Sequence, residues 1–236
     1  MSANGGNCFS LKNVPVHLSS LTTKHFNALY FSPAYAADQT LFVAAFEGLY
    51  RSQNSGSTWL EFSTQGPESF YELTVSPTFA QDASLAVARY GGGLGRSFDG
   101  GATWTNGAPG FPSAYPRNIQ YSPNFPTDHT LFATLDRFLS KSTDSGQSWT
   151  TGNLLGNFVP TILRLSPAFS NDGTMLLATR SNGVLRSVDG GASFATSLSG
   201  PEWIQSLVLT TTFATDGTAF AGKVYGDVWK TTDSGN

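Results

Sequence analysis

Three carboxylates at turns of the 236-residue chain could take part in acid–base chemistry. They are Glu47, Glu72 and Asp136. Two carboxyl groups about 5–9 Å apart can hydrolyse a glycosidic bond, one acting as the acid and the other as nucleophile or base. Glu47 paired with Glu72 or Asp136 would provide such a pair. The sequence does not give the distances, so all three are candidate catalytic residues.

The same turns carry arginines and aromatic residues that suit a sugar ligand. Aromatic rings stack on the C–H faces of a sugar, and polar groups bind its hydroxyls. An alternative is that these are ordinary polar loops whose Arg–carboxylate pairs are structural. The candidate ligand-binding residues are Arg89, Tyr90, Arg117, Arg180, Trp203 and Tyr225.

Other chemistries have less support. The three histidines show no metal-ligand spacing, and the single cysteine, Cys8, has no partner in sequence. No Gly-x-Ser-x-Gly nucleophile motif occurs. We therefore predict no metal site and no cofactor.

An octapeptide repeat sets the positions of all these residues. Its clearest copy is Ser97–Trp104, SFDGGATW, and copies begin at positions 52, 97, 142, 187 and 231, in steps of 45, 45, 45 and 44. A period this regular indicates one structural unit repeated along the chain. In each unit, Asp can accept backbone hydrogen bonds, Gly can adopt positive φ, and Trp can begin a strand.

Each repeat is predicted to form four antiparallel strands. An alternating strand ends at a Ser-Pro loop, an apolar strand and a short third strand follow, and the strand after the octapeptide is the fourth. Four strands in about 45 residues are typical of a propeller blade. We predict an all-β, five-bladed propeller that forms a single domain over residues 1–236.

The N-terminus is predicted to complete the last blade. Ser2–Phe9 reads SANGGNCF and is a faded octapeptide, so Phe9–Lys12 would be the missing fourth strand. That strand would close the ring and leave no free sheet edge. We expect a monomer. The alternative is one ten-bladed ring built from two chains.

The octapeptide resembles the Asp-box, S-x-D-x-G-x-T-W, of the BNR and sortilin-type repeats. Asn54 replaces the aspartate in one copy and Phe194 replaces the tryptophan in another. The resemblance implies a β-propeller whose ligands bind on the face opposite the boxes. The proteins with Asp-box repeats include sialidases, but the Arg-Ile-Pro motif of sialidases is missing from this sequence.

The composition argues against some classes of binding partner. The net charge of −3 and the absence of a Lys/Arg run argue against nucleic acid. No apolar stretch is long enough to cross a membrane. No signal peptide is visible, which fits either an intracellular protein or an exported one with its leader removed. The Asp-box resemblance favours an extracellular or periplasmic location.

These observations lead to a binding module for a glycan or an extracellular protein partner, with its site at the channel mouth opposite the octapeptides. The alternative is a glycosidase-like hydrolase that uses the carboxylates named above. A third hypothesis is an assembly scaffold similar to photosystem assembly factors, which are among the proteins that the repeats resemble.

Overall fold

A computed structural model shows five small antiparallel sheets that follow one another along the chain. The structure describes residues 26–46, 48–62, 70–89, 93–112, 115–155, 158–200 and 203–236. Their innermost strands contact one another in chain order, so the sheets stand side by side as blades. The protein is a five-bladed β-propeller, as the repeat predicts.

Each blade is built from strands that are consecutive in the chain. The first blade contains β1 (Phe26–Phe31), β2 (Leu41–Ala45), β3 (Gly48–Ser52) and β4 (Leu60–Glu61). The second contains β5 (Phe70–Val75), β6 (Leu85–Arg89), β7 (Leu94–Ser97) and β8 (Thr105–Asn106). The third contains β9 (Pro116–Tyr121), β10 (Leu131–Leu135), β11 (Phe138–Ser142) and β12 (Thr150–Leu154). The fourth contains β13 (Pro160–Leu165), β14 (Met175–Thr179), β15 (Val184–Ser187) and β16 (Ala195–Leu198). The fifth contains β17 (Ile204–Leu209), β18 (Thr218–Lys223) and β19 (Val228–Thr232).

Among the described residues the fifth blade has three strands, where the others have four. The predicted fourth strand, Phe9–Lys12, lies outside the described residues.

A single helical turn follows the first strand of every blade, where the sequence predicts only a loop. Ser-Pro follows the strand in the first four blades, and Thr210-Thr211 follows it in the fifth. The aspartate that closes the turn accepts hydrogen bonds from the hydroxyl at the strand end and from a backbone N–H two residues on, as in Ser76 Oγ to Asp82 (2.5 Å) and Ser84 N to Asp82 (2.8 Å). These local bonds stabilise four residues, too few to show a helical period. The turns are α1 (Tyr35–Asp38), α2 (Phe79–Asp82), α3 (Phe125–Asp128), α4 (Phe169–Asp172) and α5 (Phe213–Asp216).

The octapeptide is a turn held by its own side chains, as predicted. In the second blade, the Ser97 hydroxyl accepts the Gly101 N–H at 2.8 Å, and the Asp99 carboxylate accepts the Thr103 N–H at 2.8 Å. Trp104 Nε1 donates to the Gly101 carbonyl at 3.1 Å. In the first blade, Asn54 accepts the equivalent N–H at 2.8 Å, so the amide preserves the turn.

The octapeptide aspartate is expected to contribute measurably to stability. The side-chain hydrogen bond from Thr103, then its backbone N–H, lower the pKa of Asp99 to about 2. Asp99→Ala should reduce the free energy of unfolding at pH 7 by about 1 kcal/mol, as for a lost capping side chain. Asp99→Asn should cost less, because Asn54 makes the same backbone bond.

Urea unfolding at pH 7 and at pH 2–3 tests this. Folding lowers the pKa of Asp99. The stabilisation that its carboxylate provides is therefore present above the unfolded pKa and is lost as pH falls through the folded pKa. The difference between wild type and Asp99→Ala should therefore shrink toward pH 2. Equal stability of wild type and Asp99→Ala at pH 7 would contradict the assigned role.

The core lies between blades. Each interface packs one face of a blade against the opposite face of the next: Phe42 and Leu49 of the first blade meet Leu73 and Leu85 of the second. Arginines of the third strands add polar links, and Arg51 donates to the Gly100 carbonyl of the next octapeptide at 2.9 Å. This packing between neighbouring blades holds the turns at both ends of each blade in position.

Apolar side chains are less covered on the blades that begin and end the described chain. On the first blade, Leu29 is 58% exposed, whereas Leu73 and Ile119 at the same position of later blades are fully buried. On the fifth blade, Val208 is 57% exposed and Phe220 is 38% exposed. The described residues thus leave apolar surface on both of these blades in contact with solvent.

Candidate functional site

Every innermost strand carries a β-bulge at its second residue, at the end away from the octapeptide turns. A bulge leaves one residue unpaired and redirects its side chain, and bulges are frequent beside functional sites. We call these five residues the bulge ring: Asn27, Tyr71, Arg117, Thr161 and Gln205.

Two members of the bulge ring tie neighbouring blades together. The Asn27 side-chain amide donates to the Phe70 carbonyl at 2.6 Å, and the Thr161 hydroxyl donates to the Ile204 carbonyl at 3.1 Å. Arg117 differs from them: it is partly buried, and its Nε has no hydrogen-bond partner within the part of the chain that the structure describes. Asn27 and Thr161 are therefore structural, whereas the Arg117 Nε is a buried donor, like the Nε atoms of Arg51, Arg96 and Arg186.

A polar cluster lies one residue further along the innermost strands. Glu72 of the second blade is hydrogen-bonded to the Asn118 side chain of the third blade. Asn118 is buried and accepts the Leu163 N–H of the fourth blade at 3.0 Å. Arg164 donates to the Leu163 carbonyl at 2.8 Å. The cluster thus crosses three blades. Sequence reasoning did not single out Asn118, although a polar residue amid apolar strand positions was a usable signal.

The electrostatics of this cluster set the protonation of Glu72. Burial raises the pKa of Glu72 to about 8, against the lowering effects of the Arg164 charge and the Asn118 hydrogen bond. Burial also lowers the pKa of Arg164, and the Glu72 charge opposes that shift. Glu72 is therefore mostly protonated at neutral pH. A carboxyl with a pKa near 8 can give or take a proton under ordinary conditions.

Three of the predicted ligand-binding residues lie close together on the fourth and fifth blades. The Arg180 guanidinium lies over the Trp203 ring, 4.7 Å from its centroid, and both side chains are exposed. The Val224 N–H donates to the Trp203 carbonyl at 3.1 Å, which brings the β18–β19 turn, with its fully exposed Tyr225, next to Trp203. We call Arg180, Trp203 and Tyr225 the rim cluster.

A shallow cavity of about 360 Å³ lies on the fourth blade, and its lining includes residues that adjoin Arg180 in sequence. Asn182 lines it two residues beyond Arg180, and the Ser181 hydroxyl donates to the Asn182 side chain at 2.9 Å. Its volume is near the lower end for small-molecule sites. Sequence reasoning considered only hairpins and interblade loops, so it missed Thr196, which lies on β16; it also missed Ser199, which directly follows β16. The lining residues are Phe158, Ser181, Asn182, Thr196, Ser199 and Gly200.

The other predicted site residues are more scattered. Glu47 and Tyr90 lie outside the described residues. Arg89 is partly buried at the end of β6, and its N–H donates to the Gly93 carbonyl at 3.2 Å. Asp136 is exposed in the β10–β11 turn with φ of 38°, and it is not among the groups that shift the pKa of Glu72.

In the described ranges, no group of three or more His, Cys, Asp or Glu side chains could hold a metal ion. None of the helices in the described part of the chain is long and apolar enough to cross a membrane.

The comparisons with known proteins show the fold of this chain and no specific function. No protein-family model matches the chain, and no curated protein matches it. Among solved structures, an ancestral GH74 enzyme is similar over 88% of this chain (TM-score 0.65, 16% identity), and the extracellular domain of the hybrid two-component system BT3049 from B. thetaiotaomicron over 92% (TM-score 0.67, 16% identity). YCF48 bound to D1 peptide is similar over 89% (TM-score 0.62, 15% identity). The chain spans 31%, 29% and 65% of those three proteins, respectively.

Proposed function

We propose that this propeller is a binding module that takes a glycan at the rim cluster and its adjacent cavity. The observation that carries the proposal is the exposed Arg180–Trp203 pair, and the same blade holds a cavity lined by hydroxyl and amide groups. An aromatic face, a cation and several small polar groups around one recess are what a sugar requires. Arg117 and Arg89, on neighbouring blades, are proposed to contact longer ligands.

The wider context supports the same proposal. The octapeptide geometry fits the Asp-box class of repeats, and we propose that the chain belongs to it. Similar folds include a glycoside hydrolase and extracellular sensor domains. We therefore propose an extracellular or periplasmic location.

A glycan array followed by calorimetry on the best ligand tests the site. Trp203→Ala and Arg180→Ala should each weaken binding about ten-fold or more, because loss of an aromatic or cationic contact costs over ~1.4 kcal/mol. The matched control is Phe98→Ala, since Phe98 is also an exposed aromatic beside an arginine, Arg96, at 6.0 Å, but on the octapeptide side. Equal affinity of wild type and Trp203→Ala would refute the site.

A second candidate function is supported by Glu72. Its pKa of about 8 is the kind of shift found at acid–base sites, and it lies on the innermost strand near the bulge ring. The function would be a glycosidase-like hydrolase with Glu72 as acid and Glu47 as its partner. Turnover of a panel of chromogenic glycosides that is lost in Glu72→Gln would support the hydrolase. An absence of turnover with every glycoside would contradict it and leave the binding module as the proposed function.

A further inference from the structure

A cavity of about 400 Å³ lies between the third and fourth blades, and it shares no lining residue with the rim cluster or the cavity on the fourth blade. One wall is formed by the third blade, with the Phe132 ring, Lys141, the Thr150 hydroxyl and Gly152. The other wall is the octapeptide of the fourth blade, residues 189–192. We call it the interblade pocket, and its volume is within the range of small-molecule sites.

The interface between the first and second blades shows what fills the same place elsewhere in the ring. There the Arg51 guanidinium donates to the Gly100 carbonyl of the next octapeptide at 2.9 Å. The Phe62 ring covers Gly101 so closely that a β-carbon on this glycine would collide with it. The guanidinium lies 6.0 Å from the centroid of the Phe62 ring. One aromatic ring and one planar group of N–H donors therefore fill this interface.

The interface with the pocket has the same apolar base. Phe132 of the third blade and Phe169 of the fourth pack edge-on with ring centroids 5.4 Å apart. Phe42 and Phe79 make the equivalent contact between the first and second blades at 5.2 Å. The two interfaces therefore differ in the groups that cover this base, and the base itself is the same.

The covering ring is missing from the interface with the pocket. Gly152 stands three residues after the octapeptide aromatic, where the first blade has Phe62. A β-carbon on Gly152 would collide with the Leu139 carbonyl, so the backbone at this position favours glycine. The place of the Phe62 ring is thus left without a side chain from the equivalent residue.

The guanidinium is missing as well, because Lys141 stands where the first blade has Arg51. The Lys141 ammonium lies over the Phe132 ring of its own blade, 5.6 Å from the centroid. Gly190 is the counterpart of Gly100 in the fourth octapeptide. Among the described residues, no Lys141 atom lies within 4 Å of where a β-carbon on Gly190 would be, whereas Arg51 Nη1 lies 3.2 Å from that point at Gly100. The Gly190 carbonyl therefore lacks the arginine donor that Gly100 has.

We propose that the interblade pocket binds a small uncharged aromatic compound that carries N–H or O–H donors. The ring of the ligand takes the place that Phe62 has in the first interface, and a donor on the ligand binds the Gly190 carbonyl. The Lys141 ammonium approaches the face of the ring, as the Arg51 guanidinium approaches Phe62. An uncharged ligand fits best, because Lys141 repels a cation and the Asp189 carboxylate repels an anion.

A titration of the full chain with benzylurea, followed by NMR chemical shifts of the backbone N–H groups, tests this proposal. Benzylurea joins a phenyl ring to an uncharged planar group with N–H donors, so it supplies both missing groups. We expect shifts at Thr150, Gly152 and Gly190, with a dissociation constant of about 1 mM, as is ordinary for a ligand of this size. Butylurea has the same donors without the ring and should bind about ten-fold more weakly or less.

A single substitution should close the pocket. Lys141→Arg restores the guanidinium of the first interface, which would occupy the Gly190 carbonyl and part of the cavity. It should weaken benzylurea binding by about ten-fold or more. Lys230→Arg is the matched control, because Lys230 has the same position in the fifth blade, and it should keep the affinity of the wild type.

Each outcome decides the proposal. Shifts at the pocket that are lost in Lys141→Arg and kept in Lys230→Arg support it. An absence of shifts there at about ten times the expected dissociation constant would show a packing gap only and overturn it. Equal affinities for benzylurea and butylurea would also overturn it, as would unchanged affinity in a Lys141→Arg chain with native circular dichroism. None of these results depends on the glycan site, which lies on other residues.

Discussion

Trp149→Ala is expected to lower the free energy of unfolding by about 3–5 kcal/mol, the range for truncating a buried aromatic side chain. Trp149 is 5% exposed and fills the interface between the second and third blades. Its Nε1 donates to the Gly146 carbonyl at 3.0 Å, and its ring packs edge-on against Phe111 at 5.1 Å. The truncation leaves a cavity that the rigid sheets cannot close.

The matched control is Trp203→Ala. Trp203 is 41% exposed, so its loss should change stability by no more than about 1 kcal/mol, even though it should abolish most glycan binding. Guanidinium unfolding of both variants at pH 7 provides the comparison. Equal losses in the two variants would contradict the conclusion that the Trp149 ring packs between the second and third blades.

Glu72→Gln is expected to change how stability depends on pH. The folded pKa of Glu72, about 8, lies above the ordinary value of 4.5, so the folded protein holds a proton that the unfolded chain releases. Stability contributed by this group is complete below pH 4.5 and is lost as pH rises through 8. Each pKa unit corresponds to about 1.4 kcal/mol, so the loss between pH 5 and pH 9 should reach a few kcal/mol.

Chemical unfolding at pH 5, 7 and 9 measures this effect. Wild type should weaken across the series, whereas Glu72→Gln should not, because the amide keeps the hydrogen bond to Asn118 without a charge to bury. Glu61→Gln, at an exposed glutamate on β4, is the control and should follow wild type. Parallel pH profiles for wild type and Glu72→Gln would contradict the raised pKa of Glu72.

The repeat made most of the fold predictable. The 45-residue period and the octapeptide turn are local patterns, and the structure confirms the blades that they predict. The one-residue bulges and helical turns were missed because each depends on hydrogen bonds to residues across the sheet or turn, and these leave no period in the sequence.

The site was less predictable for a related reason. The sequence predicts Arg180 and Trp203 as ligand-binding residues, but it could not show that Arg180 stacks on Trp203 of the next blade. The environment of Glu72 depends on Asn118 and Arg164, which lie 46 and 92 positions away in sequence. Such contacts are set by how blades pack, and no local pattern encodes them.

The most direct test of the proposed function is a map of where a bound glycan contacts the protein, by NMR chemical-shift perturbation with the best ligand from the array. We predict shifts clustered at Arg180, Ser181, Asn182, Thr196 and Trp203, with the octapeptide turns unchanged. Shifts confined to the octapeptide turns, for example at Asp99 and Asp144, would contradict the account and place the ligand on the opposite face of the propeller.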